Sequence, residues 1–155
     1  MTDGILLIDK PAGMTSFGVV ARVRRVLSEQ AGKKVKVGHT GTLDPFATGL
    51  LILCVGKETK NAMSYTKLDK VYEATVRLGQ TSTTGDPDGE ITDVSDAQPG
   101  HDEVQKALET FVGEITQRPP IYSAIKIGGR RAYDLARAGK DVEVPERTVT
   151  IYSLE

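Results

Sequence analysis

The string Gly38-His39-Thr40-Gly41-Thr42-Leu43-Asp44-Pro45-Phe46-Ala47-Thr48-Gly49 sets one carboxylate in a glycine-punctuated loop, directly ahead of the apolar run Leu50-Leu51-Ile52-Leu53-Cys54-Val55. Pro45 biases Asp44 away from helical geometry toward an extended backbone, and glycines at 38, 41 and 49 permit sharp turns or close approach by a ligand. Such a loop can hold an acid fixed and exposed, which is what acid–base or covalent carboxylate chemistry requires. The same Asp-Pro pair also serves simply to start a turn. His39 lies five residues before Asp44 in the same string and reads either as a contact residue or as a satisfied turn histidine.

Other chemistries find less support. Cys54 is the single cysteine, so an internal disulfide and a cysteine-based metal site are ruled out within this sequence. Its apolar neighbours point to a core thiol, because a reactive one needs a base or a positive field beside it. The two histidines, His39 and His101, are too few and too far apart to suggest zinc, and no metal is expected. The Gly38–Gly49 loop lacks the Gly-Lys-Ser/Thr ending of a nucleotide P-loop.

A chain of 155 residues with 39% apolar and 26% charged residues fits one ordered domain. No apolar run approaches the length of a membrane span, and the start Gly4-Ile5-Leu6-Leu7-Ile8 has no basic segment before it, unlike a secretory leader. A cytoplasmic location follows as the expectation, with no membrane association. Charge is unevenly spread over a net −1: residues 1–80 hold twelve Lys or Arg against seven Asp or Glu, and residues 81–155 hold eight against fourteen. A basic half of this kind is the footprint of a polyanion-binding face or plain surface composition.

The elements that must position Asp44 follow from hydrophobic spacing. Residues 4–8 read as a buried strand ending at the turn Asp9-Lys10-Pro11-Ala12-Gly13. Thr15 or Ser16 can cap the next helix, in which Val19, Val20, Val23, Val26 and Leu27 recur at helical spacing over 17–30 and Arg22, Arg24 and Arg25 give a basic side. Residues 32–36 form a basic linker, and 50–55 a strand. Alternation over 71–79 predicts a strand with Tyr72 on its more apolar face. Farther on come an acidic turn at 84–90, a short strand at 90–94, a helix at 102–111 with Val104, Leu108 and Phe111 inward, a strand at 121–127, a helix at 130–138 closed by Gly139, and strand character over 148–155. Irregular interspersion of strands and helices indicates an α+β fold.

Four segments in order then resemble one family, the tRNA pseudouridine synthases of the TruB type. Gly4 to Ser16 resembles the family's opening strand and Lys-Pro motif, and Gly38 to Leu50 its catalytic-aspartate motif. Tyr72, in the strand that ends Arg77-Leu78-Gly79, is similar to the active-site tyrosine strand. Pro120 to Lys126 with Gly128 to Gly139 resembles the later Tyr-Ser-Ala-Lys and Tyr-x-x-Ala-Arg-x-Gly segments. The resemblance implies the pseudouridine synthase fold, a mixed and mainly antiparallel sheet flanked by helices and loops, with residues 1–155 as the N-terminal part of the catalytic domain, truncated before the family's C-terminal RNA-binding extension.

It also implies an activity: isomerisation of a uridine, position 55, in the T-loop of transfer RNA, with no cofactor because no redox step occurs. Asp44 is then the nucleophile, attacking the sugar or first removing a ribose proton. Tyr72 stacks on the flipped uracil and its phenol can take the C5 proton; His39 contacts RNA in the space opened by flipping. Lys10 and Lys60 lie near the site or the RNA backbone, where lysines can hold phosphate. Tyr122 and Lys126 support the pocket. The implied partner is the T-arm of tRNA, and a monomer is favoured. Leu43, Phe46 and Ala47 suggest that Asp44 is partly desolvated, which raises a carboxylate's pKa unless a cation is close. The family's cation is an arginine in a Lys-Gly-x-Tyr-x-Arg motif not found in residues 1–155; Arg77, Arg130 and Arg131 are substitutes by charge alone. A second reading is therefore an inactive or weakened tRNA-binding module.

Overall fold

The computed structural model describes residues 3–121, 125–139 and 143–155. They fall into two compact units, Met1–Tyr72 and Glu73–Glu155. The first holds eleven Lys or Arg against six Asp or Glu, the second nine against fifteen, so the charge asymmetry of the sequence follows this division.

In the first unit, β1 (Gly4–Lys10), β3 (Gly49–Val55) and β2 (Val37–His39) form an antiparallel sheet in the order β1-β3-β2. The apolar runs at both flanks of the aspartate loop thus pair with each other, Ile8 opposite Leu51 and Lys10 opposite Gly49. Strand periodicity sends Leu51 and Leu53 to one face. That face is covered by α1 (Ser16–Ala31), whose Val19 and Val20 meet Leu51 and Leu53 in a core completed by Ile8, Met14, Val23, Val37 and Leu43. Thr15, rather than Ser16, is the N-cap: its hydroxyl accepts the Gly18 N–H at 3.0 Å. Gly32, at φ 63°, supplies the left-handed C-cap and donates its N–H to Glu29 and Ser28 carbonyls. β2 had no sequence signal, because three residues with a central glycine show no alternation.

Beyond β3, a 3-10 helix (Gly56–Asn61) and the short α2 (Ala62–Thr66) continue the chain. Glu58 accepts hydrogen bonds from the Tyr65 hydroxyl at 2.8 Å and from Asn61 at 3.2 Å. Cys54 is fully buried, the core thiol its setting suggested. Burial, and secondarily the nearby Glu58, pushes its pKa up; the bond to Glu58 does the same for Tyr65, with burial and charge adding to it.

The strand expected over 71–79 does not form among the described residues. Residues 71–77 belong to no helix and no ladder, Val71 is 100% exposed and Tyr72 72%. Alternation specifies which side chains share a face, but a strand also needs a partner for its N–H and C=O groups, and none of the described strands pairs here.

Among its described residues the second unit holds three two-stranded pairs. β4 (Gln80–Ser82) pairs with β5 (Ile91–Asp93) around the acidic turn. α3 (His101–Glu109) follows, with Glu103 accepting the Gly100 N–H at 2.8 Å. Phe111, expected inward, lies past the helix end and is 51% exposed. β6 (Gly113–Gln117), unanticipated in the sequence, pairs with β9 (Arg147–Ile151). β7 (Lys126–Ile127) and β8 (Arg130–Arg131) form a ribbon leading into α4 (Ala132–Arg137), and Gly139 caps that helix through its N–H to Ala136 at 2.9 Å. Ala132 and Val144 form a small core with Ile125, Ile127 and Leu135. The α+β fold with antiparallel sheets expected from the sequence is thus what the chain adopts.

The buried thiol makes stability fall in alkali. Native Cys54 keeps its proton at pH values where the unfolded chain, titrating near about 8.5, has released it. This contribution is whole below that pH and is lost as pH rises through the raised native pKa; Tyr65 acts in the same direction above about pH 10. Urea midpoints measured between about pH 8 and about pH 10.5 should therefore decline, and decline less in Cys54→Ala.

Candidate active site

Asp44 sits at the start of a turn in which its carbonyl accepts the Ala47 N–H at 3.1 Å. Its side chain is exposed, and Phe46 is 43% exposed. The desolvation expected from Leu43, Phe46 and Ala47 is therefore not found. Leu43 alone of the three joins the core under α1, so the loop's apolar anchor points away from the acid.

The loop is held at three places. At its start, the Thr40 N–H donates to the Ile52 carbonyl at 3.1 Å, and the Thr66 hydroxyl of α2 donates to the Thr40 carbonyl at 2.7 Å. In its middle, the Ser16 hydroxyl donates to the Leu43 carbonyl at 3.0 Å and accepts the Leu43 N–H at 2.9 Å. Just beyond the acid, the Pro45 carbonyl accepts the Gly13 N–H at 2.7 Å and the Lys10 ammonium at 3.3 Å. Gly13 makes its bond from a turn with φ 78°, a backbone state that a side chain would strain.

Lys10 is the main departure from the sequence reading of the lysines. It is 0% exposed, and its ammonium donates to the carbonyls of Met14 (2.7 Å), Pro11 (3.0 Å) and Pro45 (3.3 Å). An ammonium has three protons, so no donor is left for a phosphate. A buried cation costs several kcal/mol unless it is hydrogen-bonded throughout, and these carbonyls supply that. Lys10 therefore ties the turn after β1 to the aspartate loop instead of reaching out to RNA.

The remaining candidates are placed as follows. His39 ends β2 opposite Leu53, is half-buried, and shares the core-side face with Val37 two residues earlier. It stands directly before the pinned Thr40. Lys60 is exposed on the 3-10 helix, and Tyr72 is exposed at the end of the first unit. Lys10 and Asp44 are joined through Pro45; no hydrogen bond links Tyr72 or Lys60 to Asp44 among the described residues. Tyr122 lies outside the described residues, and Lys126 is described only as a backbone position in β7. Of the arginines considered as substitutes, Arg77 and Arg130 are exposed in the second unit, and Arg131 is a backbone position in β8. Among the described residues Asp44 has no ion pair.

Ser16, Thr40 and Thr66 were not singled out from the sequence as parts of this site. One signal was present for Ser16: only one of two adjacent hydroxyls can cap a helix, which leaves the other for a different task.

An α+β fold with mainly antiparallel sheets, presenting an exposed carboxylate on a loop pinned from two sides, defines the class. The chain belongs to the TruB family of pseudouridylate synthases, whose N-terminal domain model matches residues 24–155. It is 49% identical over 152 residues to tRNA pseudouridine synthase B of Burkholderia mallei (strain NCTC 10247), covering 98% of this chain and 49% of that protein. To tRNA pseudouridine synthase B of Geobacillus kaustophilus (strain HTA426) it is 48% identical over 155 residues, covering 99% of this chain and 53% of that protein. The chain spans about half the length of these curated relatives. Among solved structures, a chain from the crystal structure of a Cbf5-Nop10-Gar1 complex is similar at a TM-score of 0.57 and 25% identity, covering 97% of this chain and 34% of that one.

The clamp at Pro45 can be tested directly. Lys10→Met keeps an unbranched side chain one atom shorter and removes its donors, leaving the Met14 and Pro11 carbonyls without their partner. Loss of a buried partner costs about 1–3 kcal/mol per group. The variant should fall in denaturation midpoint by that order, with faster amide exchange at Gly13, while RNA binding stays within about twofold because the buried ammonium offers phosphate nothing.

Proposed function

We propose that this chain carries the uridine-isomerising centre of a tRNA pseudouridine synthase, acting on the uridine of the T-loop at position 55, and that residues 1–155 correspond to the N-terminal part of the catalytic domain. The observation that carries the reading is the Asp44 loop: within a TruB-family chain, its acid is exposed while the neighbouring peptides are pinned by Ser16 on one side and by Lys10 and Gly13 on the other. An acid so held meets the positional demand of covalent catalysis without being hidden from a large substrate.

The reaction breaks the bond from ribose C1′ to N1 of uracil and forms one from C1′ to C5. The C5 proton leaves and N1 gains one, so atoms and electrons balance with no redox partner and no cofactor. The base must leave its stack, at a cost of a few kcal/mol. Asp44 is the nucleophile. Tyr72 is the stacking platform, worth about 1–3 kcal/mol per base, with its phenol available for the C5 proton. Its exposure on an unpaired segment leaves the ring open to a base. His39, at the head of the loop, contacts the RNA, and Lys60 faces the phosphate backbone. The natural partner is the T-arm of tRNA, encountered in the cytoplasm by a monomer. Among the described residues no helix is long and apolar enough to cross a membrane.

One observation favours a second reading, a module that grips tRNA without turnover: among the described residues the Asp44 carboxylate has no ion pair. The two readings part in a single assay. With T-arm RNA carrying tritium at uridine C5, the chain should release the label, and Asp44→Asn should abolish release while RNA binding persists. Binding that weakens with salt but brings no release of tritium would establish the module instead. Undiminished release by Asp44→Asn would remove Asp44 as nucleophile.

A further inference from the structure

We propose that Ser16 is a positioning residue for the Asp44 carboxylate, acting by fixing the peptide unit that joins Leu43 to Asp44. The inference rests on the reading of Asp44 as the reacting acid. Ser16 is the first residue of α1 and only 2% exposed. The helix does not use its hydroxyl, because Thr15 already accepts the Gly18 N–H. The hydroxyl instead crosses 27 positions of sequence to Leu43, where it donates to the carbonyl and accepts from the amide. A hydroxyl has a single proton, and here that proton is committed to the Leu43 carbonyl.

Geometry gives this double bond its meaning. The Leu43 carbonyl and the Asp44 N–H belong to one planar peptide unit, so holding the carbonyl holds the plane from which the Asp44 side chain departs. The Leu43 amide belongs to the preceding unit, so one oxygen fixes the two planes on either side of the Leu43 Cα. Packing of the Leu43 side chain beneath α1 sets where the residue lies but leaves its peptide planes free to turn. Downstream, Pro45 is held by Lys10 and Gly13. Asp44 is thus a single residue between two clamps, and the upstream one is Ser16.

Without the hydroxyl, Asp44 should spend much of its time away from the reacting geometry. A misplacement of about 1 Å can cost about 100-fold in rate. Ser16 is buried and does not itself present a surface to RNA, so binding should be spared.

The test compares the parent chain with Ser16→Ala, Thr15→Ala and Asp44→Asn. Thr15→Ala removes the helix cap without touching Leu43, and so controls for lost stability. Single-turnover tritium release from C5-labelled T-arm RNA should fall roughly 10- to 100-fold in Ser16→Ala at saturating RNA, with RNA affinity within about twofold, and should be unchanged in Thr15→Ala at a temperature where all variants are folded. Amide exchange followed by NMR should quicken at Leu43 in Ser16→Ala and at Gly18 in Thr15→Ala. Retained protection at Leu43 in Ser16→Ala overturns the clamp. Quickened exchange with release unchanged overturns the positioning role and leaves Ser16 structural. Failure of the Asp44 reading has a different signature, undiminished release by Asp44→Asn or no release by the parent, and either result removes the catalytic consequence assigned to Ser16.

Discussion

A buried ammonium coordinated by backbone carbonyls is the constraint on which the rest of the first unit depends. Lys10 sits at the end of β1, fully enclosed, and its charge is tolerable only because Pro11, Met14 and Pro45 turn their carbonyls toward it. Those carbonyls come from two segments far apart in sequence. Satisfying the cation therefore requires the turn after β1 and the aspartate loop to lie together, and any arrangement that separates them strands a charge in the interior. The register of the sheet agrees with this requirement: Lys10 is opposite Gly49, the residue at which the loop re-enters β3.

The loop gains rigidity from backbone contacts while its acid remains open. Hydrogen bonds from Ser16, Lys10, Gly13 and Thr66 all fall on main-chain groups of residues 40, 43 and 45, and the apolar anchor is Leu43 alone. Side-chain packing around Asp44 would have fixed it equally well, but at the cost of shielding it from a substrate as large as RNA. The other sheet face shows a related openness, since Leu7 and Leu50 are each 63% exposed.

Much of the first unit was legible in the sequence. The apolar runs at 4–8 and 50–55 and the helical repeat from Val19 to Leu27 gave their elements within two residues at each boundary. The failures have physical causes. β2 and β6 are short strands that owe their state to the strands they pair with, His39 against Leu53 and Ile115 against Val149. The segment at 71–77 is the converse: its alternation is clear, yet its backbone has no partner among the described residues. Periodicity reports which face a side chain takes, and pairing is a property of two segments at once.

Residue types and order determined the family and the candidate acid, because Asp44 and the motifs around it are local strings whose chemistry is carried by side-chain identity. The tertiary structure decided what each residue is for. Lys10 and Ser16 read as a phosphate-holding lysine and one of two candidate helix caps in one dimension; in three, burial forces the first onto carbonyls, and capping by Thr15 frees the second to hold Leu43. Asp44, flanked by apolar letters, emerges exposed because only Leu43 turns inward. A sequence lists donors and acceptors, but which of them meet depends on chain segments brought together across the fold, where burial makes an unmet partner too costly to leave.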